Sequence, residues 1–342
     1  MQKKQPHPVK KVSAPKKPLA YGLPQQTSKG KPSSLAKRRR KKLRWGRVLM
    51  VTILAAGLGY VSFWTARAGL PQLYTKLRSD WQQVSSAPLP YSNRAYHLLT
   101  SEITAYLQKQ PKGFAVAGTD LATGVAFGVH QNQVVNAAQM TALPVSILLY
   151  SDIAQGIIHK NAIVTLQASD RQAGPGYVSG MPVGTTFTVT QLARAAIVDN
   201  DVTAIAMLIR FLGSDQINSF MTTMGTNSSI LQPHLTTPYD YSLYLDYLYT
   251  MDQAHPQAVR PLLNDLTVTP SEGRIATIAG ADIQVAHVLG NWPHEFHDAS
   301  IIWVNGHPVT LVITSDGVTS QQAATVESHI ARLVVQFEKK GY

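Results

Sequence analysis

Two histidines and two acids lie within five residues in the segment His294-Glu-Phe-His297-Asp298. Side chains of these types bind zinc, and in an HExxH helix the two histidines, four residues apart, share one face. Here the histidines are three residues apart, and the preceding Trp292-Pro293 indicates a hairpin tip rather than a helix. We therefore predict a solvated loop and no metal or other cofactor.

Other candidate groups belong to acid/base and serine chemistry. Asp199 and Asp201 have the residue type of a general acid/base pair, but acids at this spacing more often cap a helix or brace a loop, which we expect here. Ser300, Ser315 and His287 supply the types of a Ser-His-Asp triad, but no Gly-x-Ser-x-Gly turn exposes a serine. Cysteine is absent, which excludes disulfides, a thiol nucleophile and cysteine-based metal sites.

The elements that would position these groups follow from apolar periodicity and turn residues. Between residues 96 and 342, strands near both ends surround a helical middle. This arrangement predicts an α+β fold whose sheet joins distant parts of the chain. We predict helices over 96–110, 143–156, 190–212, 238–252 and 320–337, and strands over 114–118, 125–129, 283–288, 299–303 and 309–313. Asn305-Gly306 is expected to be a hairpin turn.

Charge separates the chain into two regions. Residues 1–47 contain 16 Lys or Arg and no acid, whereas residues 48–342 contain 15 basic and 19 acidic residues. Residues 1–47 form a basic tail that is rich in Pro, Ser and Lys. It cannot bury a hydrophobic core, so we expect it to be disordered. Because the positive charge is confined to the tail and is explained by membrane topology, we expect no nucleic-acid partner.

An uncharged apolar run, Val48–Ala66, follows the basic cluster Lys37–Lys42. As a helix it would span about 28 Å, roughly the thickness of the bilayer hydrocarbon. The run is too long for a signal-peptide core, so we predict one uncleaved transmembrane helix with a cytoplasmic N-terminus and an extracellular C-terminal domain. The basic cluster can also contact anionic lipid. Residues 67–95 are interpreted as a stalk and 96–342 as the extracytoplasmic domain.

Several strings carry a family resemblance. They are Gly113–Gly124, Gly174-Pro-Gly176, the stretch from Pro182 to Ala193, Thr236-Thr-Pro238 and Ile283–His287. In order and spacing they resemble the class A β-lactamases and related penicillin-binding proteins over about residues 96–340. The resemblance implies the β-lactamase/transpeptidase-like fold, an antiparallel sheet flanked by helices with a helical subdomain.

The same resemblance implies three motifs: Ser-x-x-Lys, Ser-Asp-Asn and Lys-Thr-Gly. Alignment on Pro144 places Gln139 at the nucleophile and Ala142 at the lysine. The remaining motif positions are Asn200, Asp201 and Val202 for the second motif, and Val288, Leu289 and Gly290 for the third.

No other residue supplies the missing groups. The family's deacylating Glu has no counterpart, since residues 213–238 contain no Glu. Ser-x-x-Lys occurs only at Ser13, Ser28 and Ser34, all in the basic tail.

The sequence thus favours a non-catalytic domain that binds a peptidoglycan fragment or a cell-envelope protein. Two alternatives stay open. One is an enzyme of the same family that uses unconventional residues on β-lactams or cell-wall peptides, and the other is a structural envelope anchor.

Overall fold

The computed structural model describes residues 93–226, 231 and 234–341. Its helices are α1 (Asn93–Leu107), α2 (Ala142–Ala154), α3 (Val189–Val198), α4 (Val202–Leu212), α5 (Ser214–Thr223), α6 (Pro238–Ala254), α7 (Pro256–Thr267) and α8 (Ser320–Lys340). Its strands are β1 (Phe114–Asp120), β2 (Ala126–Val129), β3 (Val135–Asn136), β4 (Ile163–Thr165), β5 (Thr186–Thr188), β6 (Leu235–Thr236), β7 (Ile283–Trp292), β8 (Glu295–Val304) and β9 (His307–Ser315).

The predicted basic tail, the membrane helix at 48–66 and the stalk lie outside these residues, apart from the last residues of the stalk, which begin α1. A search of the described part of the chain finds no helix with the length and hydropathy to span a bilayer.

The main sheet is antiparallel, with strand order β2-β1-β9-β8-β7. The predicted α+β layout is confirmed, since β1 pairs with β9 and so joins the two ends of the domain. The Asn305-Gly306 turn is also confirmed: both residues have positive φ, 53° and 83°, as a tight two-residue hairpin requires. Two smaller two-stranded sheets pair β3 with β6 and β4 with β5.

Each face of the main sheet supports its own hydrophobic core because alternate strand residues point to opposite faces. One core joins Ala286 and Val288 of β7 to the helical middle of the chain, including α2 and α6. The other joins Val285 to α1 and α8. Strand β7 is therefore buried on both faces while forming the outer edge of the sheet.

Two local predictions need correction. The helix expected over 190–212 is two helices, α3 and α4, because Asn200 adopts a left-handed conformation (φ 51°) and Asp201 caps the start of α4. The solvated loop expected at 294–298 is limited to the tip: His294 is exposed, whereas His297 and Asp298 are fully buried in β8.

Candidate functional site

The segment that carries Gln139 is a short 3-10 helix, Ala138–Thr141, which leads directly into α2. Ala138 has φ 48°, a conformation that costs an L-residue roughly 1–2 kcal/mol. The Asn136 side chain stabilises it, since Asn136 Oδ1 accepts the Ala138 N–H at 2.9 Å. Strained backbone held by neighbouring groups is typical of ligand and active sites.

Gln139 reaches the outer edge of the main sheet. Its Oε1 accepts the backbone N–H of Asn291 in β7 at 2.8 Å. At Gly290, a Cβ would lie 2.9 Å from Met140 Cγ, so a larger residue would force the Met140 side chain away from the strand. The structure therefore brings Gln139 of the first aligned motif next to Gly290 of the third. We call this region the Gln139 cleft.

Residues of β8 and β9 anchor the segment before Gln139. Glu295 Oε2 accepts the Asn136 N–H at 2.9 Å, and His297 Nε2 lies 2.9 Å from the Asn136 carbonyl. Because His297 Nδ1 accepts the Ser315 N–H at 3.2 Å, His297 carries its proton on Nε2 and donates it to Asn136. The nearby His297 ring, with Nε2 3.6 Å from Glu295 Oε2, and then the Asn136 N–H lower the pKa of Glu295.

A buried arginine supports β7 from the opposite face. Arg274, only 1% exposed, donates through Nη1 to the His297 carbonyl and through Nη2 to Glu272, each at 2.9 Å. Nη2 also donates to Asn291 Oδ1, and Asn291 Nδ2 donates to Glu272 at 3.2 Å. Burial raises the pKa of the nearby Glu327, whose Oε2 lies 4.0 Å from Arg274 Nε, well above its ordinary value. Glu272 contacts the guanidinium from its more exposed side.

The other aligned positions of the first and third motifs present no polar side chain. Ala142, Val288 and Leu289 are fully buried and belong to the interior of α2 and β7. Ala142 and Val288 pack in the core that joins the sheet to the helical middle of the chain.

The second aligned motif forms the corner between α3 and α4, which we call the Asp201 corner. Asp201 is fully buried, and its two oxygens accept the N–H groups of Ala204 at 2.9 Å and Val178 at 2.7 Å. Gly176 has φ 106°, and a Cβ there would lie 2.5 Å from Asp201 Cα. Asn200 and Val202 flank this carboxylate, and Val202 donates its N–H to the Pro175 carbonyl. The bracing role expected for Asp201 is confirmed.

The structure connects the two regions through α2, which packs against both α3 and α4. The corner and the cleft are therefore supported by the same helix.

The rival serine site does not assemble. His287 contacts Asp298 at 3.1 Å through Nδ1 and the Thr269 carbonyl at 3.1 Å through Nε2, which occupies both ring nitrogens. Ser300 donates to the Leu311 carbonyl and Ser315 to the Phe296 carbonyl. Over the described residues, no group of three His, Cys, Asp or Glu has the geometry to hold a metal ion.

A separate ionisable cluster lies at the opposite end of the sheet. His307 Nε2 is 3.0 Å from Asp120 Oδ1, and Tyr96 donates to Glu338 at 2.9 Å. Burial raises the pKa of Glu338 to about 7. The hydrogen bond between His307 and Asp120 raises the pKa of His307. This cluster joins α1, β1, β9 and α8, so we interpret it as a structural link.

Sequence reasoning missed most of the groups that hold Gln139. They are Asn136, Glu272, Arg274, Asn291, Glu295 and His297. Asn136, two residues before Ala138, belongs to no recognisable sequence motif. Arg274 cannot be distinguished in the sequence from an exposed arginine. The one available signal was the density of polar residues in 291–298, which we interpreted as a solvated loop.

The architecture, a five-stranded antiparallel sheet with a helical core on each face, defines a β-lactamase-like domain. The chain belongs to the beta-lactamase enzyme family, whose sequence profile matches residues 98–337. Among curated proteins, no sequence matches at a significant level.

Solved structures agree with this assignment. PBP-A, in a point mutant described as an acyl-enzyme complex with penicillin G, is 18% identical with a TM-score of 0.66, covering 71% of this chain and 97% of its own. A β-lactamase from Sphaerobacter thermophilus DSM 20745 is 19% identical (TM-score 0.61; 72% and 97% covered). A variant of a reconstructed ancestral class A β-lactamase of Gram-negative bacteria is 24% identical (TM-score 0.61; 69% and 97% covered). At these identities the likeness establishes the fold.

Proposed function

We propose that this chain is a membrane-anchored, extracytoplasmic β-lactamase-like domain that lacks the catalytic Ser and Lys. In this proposal the Gln139 cleft binds a peptidoglycan fragment or a cell-envelope protein without hydrolysing it. The protein would act by binding or regulation at the cell wall.

The contact between Gln139 and Asn291 is the observation that carries the proposal. The sequence alignment puts Gln139 at the nucleophile. A carboxamide is a weak nucleophile and does not ionise near neutral pH. Its oxygen is already bonded to a backbone N–H of β7. In acyl-transfer enzymes such donors stabilise the developing oxyanion. A carboxamide in this place favours recognition over reaction.

The surroundings of Gln139 support the same interpretation. Ala142, aligned with the lysine, is buried and apolar, so it provides no base for an alternative nucleophile. Loss of the nucleophile in serine hydrolases removes several orders of magnitude of rate. Backbone and side-chain donors nevertheless lie beside Gln139, in the Asn291 N–H and the Arg274 guanidinium.

The proposed location depends on the sequence before residue 93. The basic cluster Lys37–Lys42 and the apolar run Val48–Ala66 favour a single-pass anchor with the domain outside the cell. A fluorophore-labelling or protease-accessibility assay on intact cells tests this topology. Protection of residues 93–341 inside the cell would contradict it.

Catalysis is tested with the full-length protein purified in detergent. We expect neither stable labelling by fluorescent penicillin nor turnover of a chromogenic cephalosporin, under conditions in which an active class A β-lactamase gives both. Acylation or turnover that disappears when one nearby serine is changed would overturn the non-catalytic assignment.

Ligand binding is tested by thermal unfolding with a panel of muropeptides. A ligand at 100 times its dissociation constant stabilises the folded state by about 2.7 kcal/mol, which shifts the melting temperature measurably. The matched control is the same disaccharide without its peptide. If no muropeptide shifts the melting temperature, the cleft does not bind cell-wall fragments and a structural anchor becomes the better assignment.

A further inference from the structure

The outer surface of α1 and α8 is strongly basic. These two helices and the loop 108–113 that follows α1 carry six lysines or arginines, all exposed, and one exposed acid, Glu102. The two other acids of this region, Glu327 and Glu338 of α8, are buried beneath the surface. We call the exposed surface of α1, α8 and the loop 108–113 the basic face. Its basic residues are Arg94, Lys109, Lys112, Arg332, Lys339 and Lys340.

Side-chain contacts place the start of α1 beside the end of α8. The rings of Tyr96 and Phe337 lie with their centroids 4.8 Å apart, and the Tyr96 hydroxyl donates to Glu338 at 2.9 Å. Both helices also pack in the same hydrophobic core, on one face of the main sheet. This packing brings Arg94, at the start of α1, near Lys339, at the end of α8.

The helices on the opposite face of the sheet balance their charges within the protein. Arg210 of α4 pairs with Asp170 at 2.7 Å, and Arg260 of α7 pairs with Asp252 of α6 at 2.6 Å. Such pairs leave little excess charge to attract a distant anion. The basic face, in contrast, has a large excess of positive charge at its surface, which favours an anionic partner.

The point at which the chain enters α1 favours a membrane surface as that partner. The apolar run predicted to span the membrane ends at Ala66, and α1 begins at Asn93. Residues 67–92 between them reach at most about 90 Å when fully extended, so an anchor at 48–66 keeps the domain close to the bilayer. Arg94 follows directly after this tether, so the start of the basic face adjoins the point of attachment.

An exposed leucine lies within the basic face. Leu98 has 63% of its surface exposed and lies one helical turn from Arg94, on the same side of α1. Helices that combine basic residues with exposed leucine are typical of those that contact the headgroup region of a bilayer. The basic face therefore has both the charge and the apolar contact that an anionic lipid surface would bind.

We propose that the basic face docks on a surface of anionic lipid headgroups, with Leu98 entering the headgroup region. Docking orients the domain, because the helices on the opposite face of the sheet then point away from the membrane. This inference rests on the membrane anchor of the proposed function and adds the surface by which the domain contacts the bilayer.

The test places one fluorescent label at a chosen position of the full-length protein, which has no cysteine of its own. Ser101→Cys puts the label on the exposed side of α1, one turn from Leu98, and leaves that leucine in place. Ser219→Cys is the matched control, since it is an exposed serine of α5 on the opposite face of the sheet. Each protein is reconstituted into phosphatidylcholine vesicles with or without phosphatidylglycerol, and all vesicles contain a quencher attached to the lipid headgroup.

We expect the label at residue 101 to be quenched in the vesicles that contain phosphatidylglycerol and not in the neutral vesicles. Salt at about 1 M, where the Debye length is about 3 Å, should abolish the quenching. The label at residue 219 should not be quenched in either kind of vesicle. Leu98→Ser in the Ser101→Cys protein should reduce the quenching, because it removes the apolar contact.

Charge variants of the Ser101→Cys protein test the role of the basic residues. Each basic residue near an anionic surface strengthens association about fivefold, so Lys339→Gln should lower the ratio of docked to undocked protein by that factor. The triple change Arg94→Gln, Lys339→Gln and Lys340→Gln should lower it about a hundredfold. Lys160→Gln removes an exposed lysine between α2 and β4 and is the matched control, with no change expected.

Flotation of the vesicles separates this inference from the anchor. Full-length protein that does not float with neutral vesicles has no membrane anchor, and both proposals are then overturned. Protein that floats with both kinds of vesicle but shows no quenching at residue 101 retains the anchor and overturns the docking. Equal quenching at residues 101 and 219, or quenching that neither salt nor the triple change reduces, would also overturn it.

Discussion

The Gln139 cleft and the Asp201 corner are built with the same local devices. Each contains a non-glycine residue in the left-handed region, Ala138 at φ 48° and Asn200 at φ 51°. Each also contains a glycine whose Cβ would collide with its neighbour, Gly290 against Met140 and Gly176 against Asp201. They differ in what holds them: the corner has a fully buried carboxylate, whereas the cleft has partly exposed side-chain amides.

Because of this difference, we interpret the Asp201 corner as support for the fold and the Gln139 cleft as the place where a ligand would bind. Asp201 matches the aligned family motif and satisfies two backbone N–H groups that would otherwise be buried without partners. Gln139 and Ala142, which our alignment places at the nucleophile and the lysine, are neutral, and neither is needed to satisfy a buried charge. Under the proposed function, Asp201 is retained because it braces the fold, whereas the positions of Gln139 and Ala142 have no such structural demand.

The largest expected effect comes from restoring a lysine to the cleft. Ala142 is fully buried at the start of α2, so Ala142→Lys would place a charge in the core without an acidic partner. We expect the free energy of unfolding to fall by about 3 to 5 kcal/mol, measured by urea denaturation. Ala254→Lys, at the exposed end of α6, is the matched control and should change stability little. A loss below about 1 kcal/mol for Ala142→Lys would mean that the cleft still accommodates a base, which would weaken the comparison.

Removing the carboxylate of the corner should have the next largest effect. Asp201→Ala removes the cap of α4 and leaves the Val178 N–H without a partner. We expect a loss of about 2 to 4 kcal/mol in the free energy of unfolding. The neighbouring Asp199 is exposed, so Asp199→Ala should stay within about 0.5 kcal/mol of the unmodified protein. Similar losses for the two variants would show that Asp201 does not brace the corner.

The sequence predicted the fold better than the site, for a physical reason. Strands and helices follow from local periodicity and turn residues, as the Asn305-Gly306 hairpin illustrates. The site depends on contacts between distant residues: Gln139 and Asn291 are 152 positions apart. The burial of His297 could not be predicted from the sequence. A polar segment is compatible with a solvated loop, and also with a buried strand in which both ring nitrogens of a histidine are hydrogen-bonded.

The break between α3 and α4 was missed for a different reason. The segment Val198–Val202 has no glycine or proline to end a helix. Asp201 was nevertheless a recognisable N-cap residue before an apolar run.

The ionisable cluster at the far end of the sheet tests whether shifted pKa values mark the site. Burial raises the pKa of Glu338 to about 7, so between pH 4.5 and 7 the folded state binds more protons than the unfolded chain. The free energy of unfolding should therefore fall as the pH rises through this window, by about 2 to 3 kcal/mol from Glu338. The raised pKa of His307 acts in the same direction, because its stabilisation is lost as the pH rises through the folded-state value.

Glu338→Gln isolates this contribution. The difference in unfolding free energy between the two proteins should change by most of that amount from about pH 5 to about pH 8, while muropeptide binding stays the same. A change in muropeptide binding without a change in the stability profile would instead place a functional group at this end of the sheet.

The smallest expected effect concerns the strain at Ala138. Its left-handed conformation costs roughly 1–2 kcal/mol, which Ala138→Gly would remove. Glycine also increases the freedom of the unfolded chain, which offsets about 0.5–1 kcal/mol of the gain. We expect a net stabilisation of about 0.5 kcal/mol, a rise of roughly 1–2 °C in melting temperature. Since the Asn136 side chain would no longer have to hold a strained residue, the contact between Gln139 and Asn291 should loosen if that strain positions Gln139, and the Asn291 amide should then exchange faster with deuterium. A destabilisation above about 1 kcal/mol would instead show that the Ala138 methyl group packs in the cleft wall, and that the cleft, like the Asp201 corner, is maintained by buried contacts.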